Sequence, residues 1–286
     1  MFLTTTDKNE NSKDRKIIMI KSAIKQIVPT SLWTKLRLIK LKSGVKNYKN
    51  KIVTRDYGGH TFDVAIEDDL GNGWYNCDWK RLAEIEFLSQ HGLRKGSKVF
   101  DFGAHQGVVA MMLSREVGDA GEVIALEANS HNYKVAIKNK NLNKLENLII
   151  RHCALGETSG TLNFNEGLNG QVDDGSGAWG KVEVKSLSVD DTTKEYGKPD
   201  VIFMDIEGFE YCALKGAQKT LDMNVDWFVE VHGAKTIGQF GGTVEDTLEH
   251  FTKRDFKLYM ANERSEFHEL DLKSSMIQKR FDLTHV

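Results

Sequence analysis

Asp101, Gly103, Ala104 and Gly107 fall within the seven residues DFGAHQG, directly after the run SKVF. A carboxylate followed by very small residues at a strand end suits either a tight turn or a cradle where backbone approaches a ligand. Further along, Glu127 ends VIALE, Asp205 ends DVIFMD, and Glu230 and His232 end VDWFVEVH. Acids and an imidazole at successive strand ends would share one rim of an open α/β sheet, where ligands bind and protons are moved.

Spacing narrows the ligand. A dinucleotide fingerprint, G-x-G-x-x-G, sets a helix N-terminus against a pyrophosphate. Here Asp101 stands in place of the first glycine, and its charge repels phosphate. A carboxylate suits a cationic ligand, and S-adenosylmethionine carries a sulfonium and an ammonium but no phosphate. Glu127 follows Asp101 by 26 residues, the place from which an acid reaches both ribose hydroxyls in nucleoside-binding folds.

These side chains require an alternating scaffold. WKRLAEIEFLSQHGL reads as a helix closed by Gly92, SKVFDFG as a strand, VVAMMLSREVG as a helix and EVIALE as a buried strand. SHNYKVAIKNKNLNKL and NLIIRHCAL continue as helix and strand, with His152 and Cys153 expected to be buried in the latter. Between 157 and 190, GTLNF and KVEVKSL form a hairpin around a Gly- and Asp-rich loop in which Trp179 is a candidate substrate lid. DVIFMDIEG, FEYCALKGAQKTL, VDWFVEVH and TVEDTLEHFTKR then resume the alternation, and FKLYMAN with MIQKRFDL closes it as an antiparallel pair. The fold class expected is α/β, a doubly wound, mainly parallel sheet of about seven strands.

Charge is unevenly distributed. Residues 1–55 hold 14 Lys/Arg against 3 Asp/Glu, and residues 56–286 hold 25 against 38. RKIIMIKSAIKQIV and SLWTKLRLIKLKSGV read as two short amphipathic helices broken at Pro29, with Ser31 as the N-cap of the second. This basic leader suits a packing arm, for instance against a second copy of the chain in a homo-oligomer, or an anionic lipid or glycan surface. The acidic body argues against nucleic acid as a partner. Three dispersed cysteines and no long apolar run point to a reducing cytoplasm, the inner membrane surface included. Trp74, Tyr75 and Trp79 either close over the cofactor or anchor the leader.

The chain also resembles a known family. VFDFGAHQGVVAMML is similar to the D-x-G-A-N-x-G opening of FkbM-type methyltransferases, and VIALEANSHNY resembles their E-P-x-P-x-x-Y segment. HCALGETSGTLNF resembles their A-L-G strand, and VIFMDIEGFEYCALKGA their D-V-E-G-x-E block. His105 stands where the family has Asn, Ala128 and Ser130 replace prolines, and Phe203 and Met204 occupy the place of a common Lys. The resemblance implies a class I methyltransferase fold of Rossmann-like type. It implies S-adenosylmethionine held by Asp101, Gly103, Ala104, His105, Gly107, Glu127, Ala128, Asn129 and Asp205. It implies methyl transfer to a hydroxyl of a sugar, glycan or secondary metabolite.

His232 is the preferred general base, with Asp205, Glu207, Glu210 and Glu230 as further candidates and Asp205 or Glu230 orienting the imidazole. No metal is assigned; a divalent cation on Asp205, Glu230 and His232 is the less favoured reading. A nicotinamide-dependent oxidoreductase on a similar fold and a non-catalytic adaptor stay open as alternatives.

Overall fold

The computed structural model describes residues 30–165, 167–168, 172, 181–254, 256–262, 265–270 and 280–285. A helix, α1 (Thr30–Asn47), leads into an antiparallel hairpin of β1 (Lys51–Tyr57) and β2 (His60–Ile66). The helix starts at Thr30, so Ser31 lies inside it and does not cap it. Its apolar residues are spread around the axis, and Leu36 and Ile39 are 48 % and 64 % exposed, so it is not amphipathic as expected. The first expected helix of the leader lies outside the described residues. The hairpin was not read from the sequence. Its β1 crosses the 55/56 division, and Tyr57, Phe62, Val64 and Ile66 are buried against Val108, Met111 and Met112, so the hairpin belongs to the body.

Two short helices, α2 (Asp69–Tyr75) and α3 (Ala83–Ser89), precede β3 (Lys98–Phe102). Then come α4 (Val108–Val117), β4 (Glu122–Glu127), α5 (Ser130–Leu142) and β5 (Leu148–His152). The excursion that follows is a separate three-stranded sheet of β6 (Ala154–Leu155), β7 (Gly160–Asn165) and β8 (Lys181–Leu187), with β7 and β8 paired antiparallel as the expected hairpin. Trp179 lies outside the described residues. The chain returns through α6 (Val189–Tyr196), β9 (Val201–Met204), α7 (Glu210–Lys215), α8 (Gln218–Leu221) and β10 (Asp226–Val231). It ends with α9 (Ala234–Ile237), α10 (Val244–Thr252), β11 (Leu258–Ala261), β12 (His268–Glu269) and β13 (Phe281–His285).

The central sheet has eight strands in the order β12-β11-β13-β10-β9-β3-β4-β5, one more than expected because of the two-residue β12. Strands β5, β4, β3, β9 and β10 are parallel, and β13 runs antiparallel between β10 and β11. Strand alternation divides the apolar residues between two layers. Phe100, Phe102, Ile124, Leu126, Ile202 and Trp227 pack on one face, while Val99, Val123, Ala125, Leu148, Val201 and Phe203 pack on the other. From β3 the order runs outward through β4 to β5, and from β9 in the opposite direction to β10. The carboxyl ends of β3 and β9 therefore flank the topological switch point, where open α/β sheets bind ligands.

Candidate active site

At the switch point the two loops nearly touch. Gly103 has φ +94°, and a Cβ there would lie 1.8 Å from the carbonyl oxygen of Asp205. Only glycine fits such an approach, so the first small residue of DFGAHQG is demanded by the crossing of the β3 and β9 loops. Gly107, at φ +81°, is likewise closed against Ala136, whose Cβ would be 3.0 Å away. The glycines serve loop packing, and the cradle is its consequence. A cleft of about 1110 Å³ opens there, lined on one side by Asp101, Gly103, Ala104, His105, Glu127 and Ala128 and on the other by Asp205, Glu207, Glu230 and Arg280.

The two cofactor carboxylates are deeply set. Asp101 is 5 % exposed, its Oδ2 is buried without a hydrogen bond, and burial, aided by the charge of Asp205, pushes its carboxyl up to about 7. Glu127 accepts from the backbone N–H of His105 through Oε2 (2.7 Å) and of Asn129 through Oε1 (2.6 Å). Those bonds favour the ionised form, yet burial outweighs them and lifts Glu127 to about 8. A buried acceptor without a donor is costly, and the hydroxyls and ammonium of a cationic nucleoside supply donors at this place. The residues present fit S-adenosylmethionine.

Neighbouring side chains divide between the cleft and the scaffold. Asn129 supports the cleft from behind, its backbone N–H on the Glu127 carboxylate and its side chain turned to the scaffold. Its Oδ1 accepts from His131 N (2.9 Å) and Asn132 N (3.1 Å) as the N-cap of α5, and its Nδ2 donates to Gly167 O (2.7 Å). Asn132 lines the cleft instead. His105, in the left-handed region at φ +49°, has Nδ1 2.7 Å from the hydroxyl of Tyr75, and burial lowers its pKa to about 4. The ring of Trp74 lies 5.1 Å from that of His105 and is half-exposed, whereas Trp79 packs on Tyr57 of the hairpin at 5.0 Å. Trp74 thus stands beside His105 at the cleft, while Trp79 packs against the hairpin of the body rather than against the leader. His152 is exposed rather than buried; its Nε2 donates to Ala128 O (3.0 Å) and its ring stacks on Tyr133.

One buried group escaped the sequence reading altogether. Asp68, 1 % exposed, accepts from Gly71 N, Gln106 Nε2 and His131 Nε2, each at 2.7 Å. It caps α2 and ties that helix to the β3–α4 loop and to α5. Only the D-x-x-G spacing of Asp68 and Gly71 hinted at a cap.

Across the cleft, the turn after β9 carries Asp205 and Glu207, the latter in the left-handed region at φ +55°. His232, just past β10, is 6 % exposed and does not line the cleft; it lies behind the two carboxylates. Its Nε2 is 3.4 Å from Glu207 Oε2 and 3.8 Å from Asp205 Oδ1. Its Nδ1 is 3.0 Å from Oε1 of the fully buried Glu210, which also accepts from Gly208 N (2.9 Å). Glu210, and neither Asp205 nor the Glu230 carboxylate, orients the imidazole. Glu230 offers Nδ1 only its backbone oxygen (3.2 Å), and its carboxylate pairs with Arg280. Burial works against protonation of His232, but hydrogen bonds to Glu207 and Glu210 and the charge of Asp205 raise it to about 10. The acids on both sides of the ring thus favour the protonated imidazole, and of these groups Asp205 and Glu207 are the ones that line the cleft. Phe203 and Met204, in place of the family's lysine, are buried in the two core layers, and Arg280 brings the positive charge to the rim.

A doubly wound sheet whose switch point carries two buried carboxylates and a glycine crossing defines a class I methyltransferase, with S-adenosylmethionine as cofactor. The methyltransferase FkbM domain matches residues 101–258, more than half of the chain, and the chain belongs to that family. This assignment removes the nicotinamide oxidoreductase reading. Among solved structures, the chain is similar to a SAM-dependent O-methyltransferase from Thermotoga maritima (12 % identity, 82 % of this chain and 76 % of that one, TM-score 0.45). It is also similar to Aeropyrum pernix fibrillarin with natively bound S-adenosyl-L-methionine (10 % identity, 84 % and 83 % covered, TM-score 0.41). No curated protein matches the chain significantly.

Proposed function

We propose that this methyltransferase acts on a hydroxyl of a sugar, glycan or secondary metabolite. The observation that carries the reading is the cleft itself, which has the cofactor carboxylates Asp101 and Glu127 on one wall and the carboxylates of Asp205 and Glu207 on the other. Bound S-adenosylmethionine supplies an electrophilic methyl group. A hydroxyl is a weak nucleophile until its proton is removed, and Asp205 and Glu207 are the groups facing the cleft that can take it. His232, fixed by Glu210, keeps the two carboxylates together behind the acceptor. Arg280 and the half-exposed Trp74 at the rim suit a polar ring with an apolar face.

The test is methyl transfer from isotopically labelled S-adenosylmethionine to a panel of saccharides, glycosides and phenolic metabolites. An alkali-stable methyl ether is expected, and Glu207→Gln should lower kcat by ~10² or more with cofactor affinity retained. Label found only on nitrogen, or as an alkali-labile ester, would overturn the hydroxyl assignment.

A further inference from the structure

We infer that Asp205, Glu207 and His232 form a binding site for one divalent cation of the Mn²⁺ type. One donor atom from each of the three lies within 4.8 Å of the others. Ligands at about 2.1 Å from a common octahedral ion stand about 3 Å apart in neighbouring positions, so shifts of less than about 1 Å bring the 3.4 and 3.8 Å pairs onto one ion.

Three features mark this as more than a cluster of acids. His232 is more than nine-tenths buried and its Nε2 is aimed at the two carboxylates without a close hydrogen bond, Glu207 Oε2 standing at 3.4 Å and Asp205 Oδ1 at 3.8 Å; Asp205 Oδ1 is likewise a buried atom, although the Asp205 side chain as a whole is 44 % exposed. On the other side of the ring, Nδ1–H donates to the buried carboxylate of Glu210. A carboxylate behind an imidazole is the arrangement that fixes the tautomer of a metal-ligating histidine, leaving the Nε2 lone pair outward and raising its basicity. Glu230, the third ligand suggested by sequence spacing, is drawn away by Arg280, and Glu207 takes its place.

Two carboxylates and one imidazole favour Mn²⁺ over a purely oxygen-seeking Mg²⁺ and over thiolate-seeking ions. Asp205 and Glu207 also line the cleft, so coordination positions on that side remain for water or an acceptor oxygen. Each carboxylate gives one oxygen to the ion and keeps the other for a proton. The inference adds a cation to the acceptor side of the hydroxyl reading, but it is tested without turnover.

The full chain, stripped with chelator and titrated with Mn²⁺, is followed by electron paramagnetic resonance of the free ion. One saturable Mn²⁺ per chain is expected, and pulsed spectra should show the nitrogen modulation of a directly bound imidazole. Asp205→Asn and His232→Ala should each weaken binding by tenfold or more, and Glu210→Gln, a positioning change, by about 10- to 100-fold. Circular dichroism and the melting temperature, measured on the same samples, report whether each variant is folded, and Glu207→Gln at the cleft provides a variant that leaves the buried groups intact. Absence of saturable Mn²⁺ in the wild-type chain, or Mn²⁺ bound without nitrogen modulation, would overturn the site. Neither result would bear on methyl transfer, which the labelling experiment decides separately.

Discussion

Glu127 shows how burial and hydrogen bonding compete within one side chain. Two backbone N–H groups favour its ionised form, but its carboxyl still lies at about 8, above the ordinary 4.5, because burial dominates. The cofactor-free folded chain therefore holds a proton that the unfolded chain releases near pH 4.5. This group favours the fold most at low pH, and its contribution is lost as pH rises through about 8. Ribose hydroxyls donate to the ionised carboxylate, so cofactor binding should expel the proton. Affinity for S-adenosylmethionine should rise between about pH 6.5 and 8.5, with proton release seen as a buffer-dependent calorimetric enthalpy. Glu127→Gln should cost ~1–3 kcal/mol of affinity and diminish that release; an unchanged affinity would remove Glu127 from the site. At Gly103 the issue is steric. The added methyl of Gly103→Ala meets the Asp205 carbonyl at 1.8 Å in the left-handed region, so a loss of at least ~2 kcal/mol is expected, lowering the melting temperature by ~5 °C or more.

Helix α2 is the element on which the cofactor wall leans. Its sequence, DLGNGWY, has two glycines in seven residues and little intrinsic helical preference. What holds it is Asp68, which caps its first turn while accepting from Gln106 and His131, and the burial of Tyr75 with its hydroxyl on His105. Asp68→Ala should destabilise the chain by ~1–3 kcal/mol in chemical denaturation and weaken cofactor binding, because Trp74 and Tyr75 lose their footing beside His105. Equal cofactor affinity in the variant would show that α2 is only scaffold. The turn after β9 is held by packing of another kind. Gly208, at φ +99°, is pressed against Thr236 of α9, whose Cγ2 would be 2.4 Å from an added Cβ, and this fixes where Glu207 and Glu210 point.

For the molecule as a whole, the sequence sets a basic leader against an acidic body. Among the described residues no helix is long and apolar enough to cross a membrane. Helix α1 exposes Leu36, Ile39 and Lys40, which suits contact with an anionic lipid or glycan surface. Because β1 is paired and Tyr57 is buried, a cut at residue 56 would open the core, whereas a chain beginning at Tyr48 keeps the hairpin. That shortened chain should fold, bind S-adenosylmethionine as before and lose a salt-sensitive attachment to anionic vesicles. Vesicle co-sedimentation at low and high salt checks this; attachment that survives truncation would sink the idea.

The sequence by itself determined the strand and helix alternation, the parallel sheet and the strand-end acids Asp101, Glu127 and Asp205. Apolar periodicity and the abrupt change to charged or small residues are local signals. It did not determine which acids meet the imidazole. In sequence Glu230 is two residues from His232 and Glu210 is 22 residues away, yet it is the Glu210 carboxylate that meets the ring, because Arg280 beside β13 takes the Glu230 carboxylate and Gly208 N holds that of Glu210. Helix α2 was hidden for a related reason, since its short, glycine-rich segment carries little preference of its own and is held by Gln106 and His131, distant in sequence; the β1–β2 hairpin was legible, because KIVTRDY and HTFDVAI flank a Gly58–Gly59 turn with both glycines at positive φ. Only the tertiary structure placed His232 behind Asp205 and Glu207, because the position of a side chain past a strand end is set by the loops that pack against it.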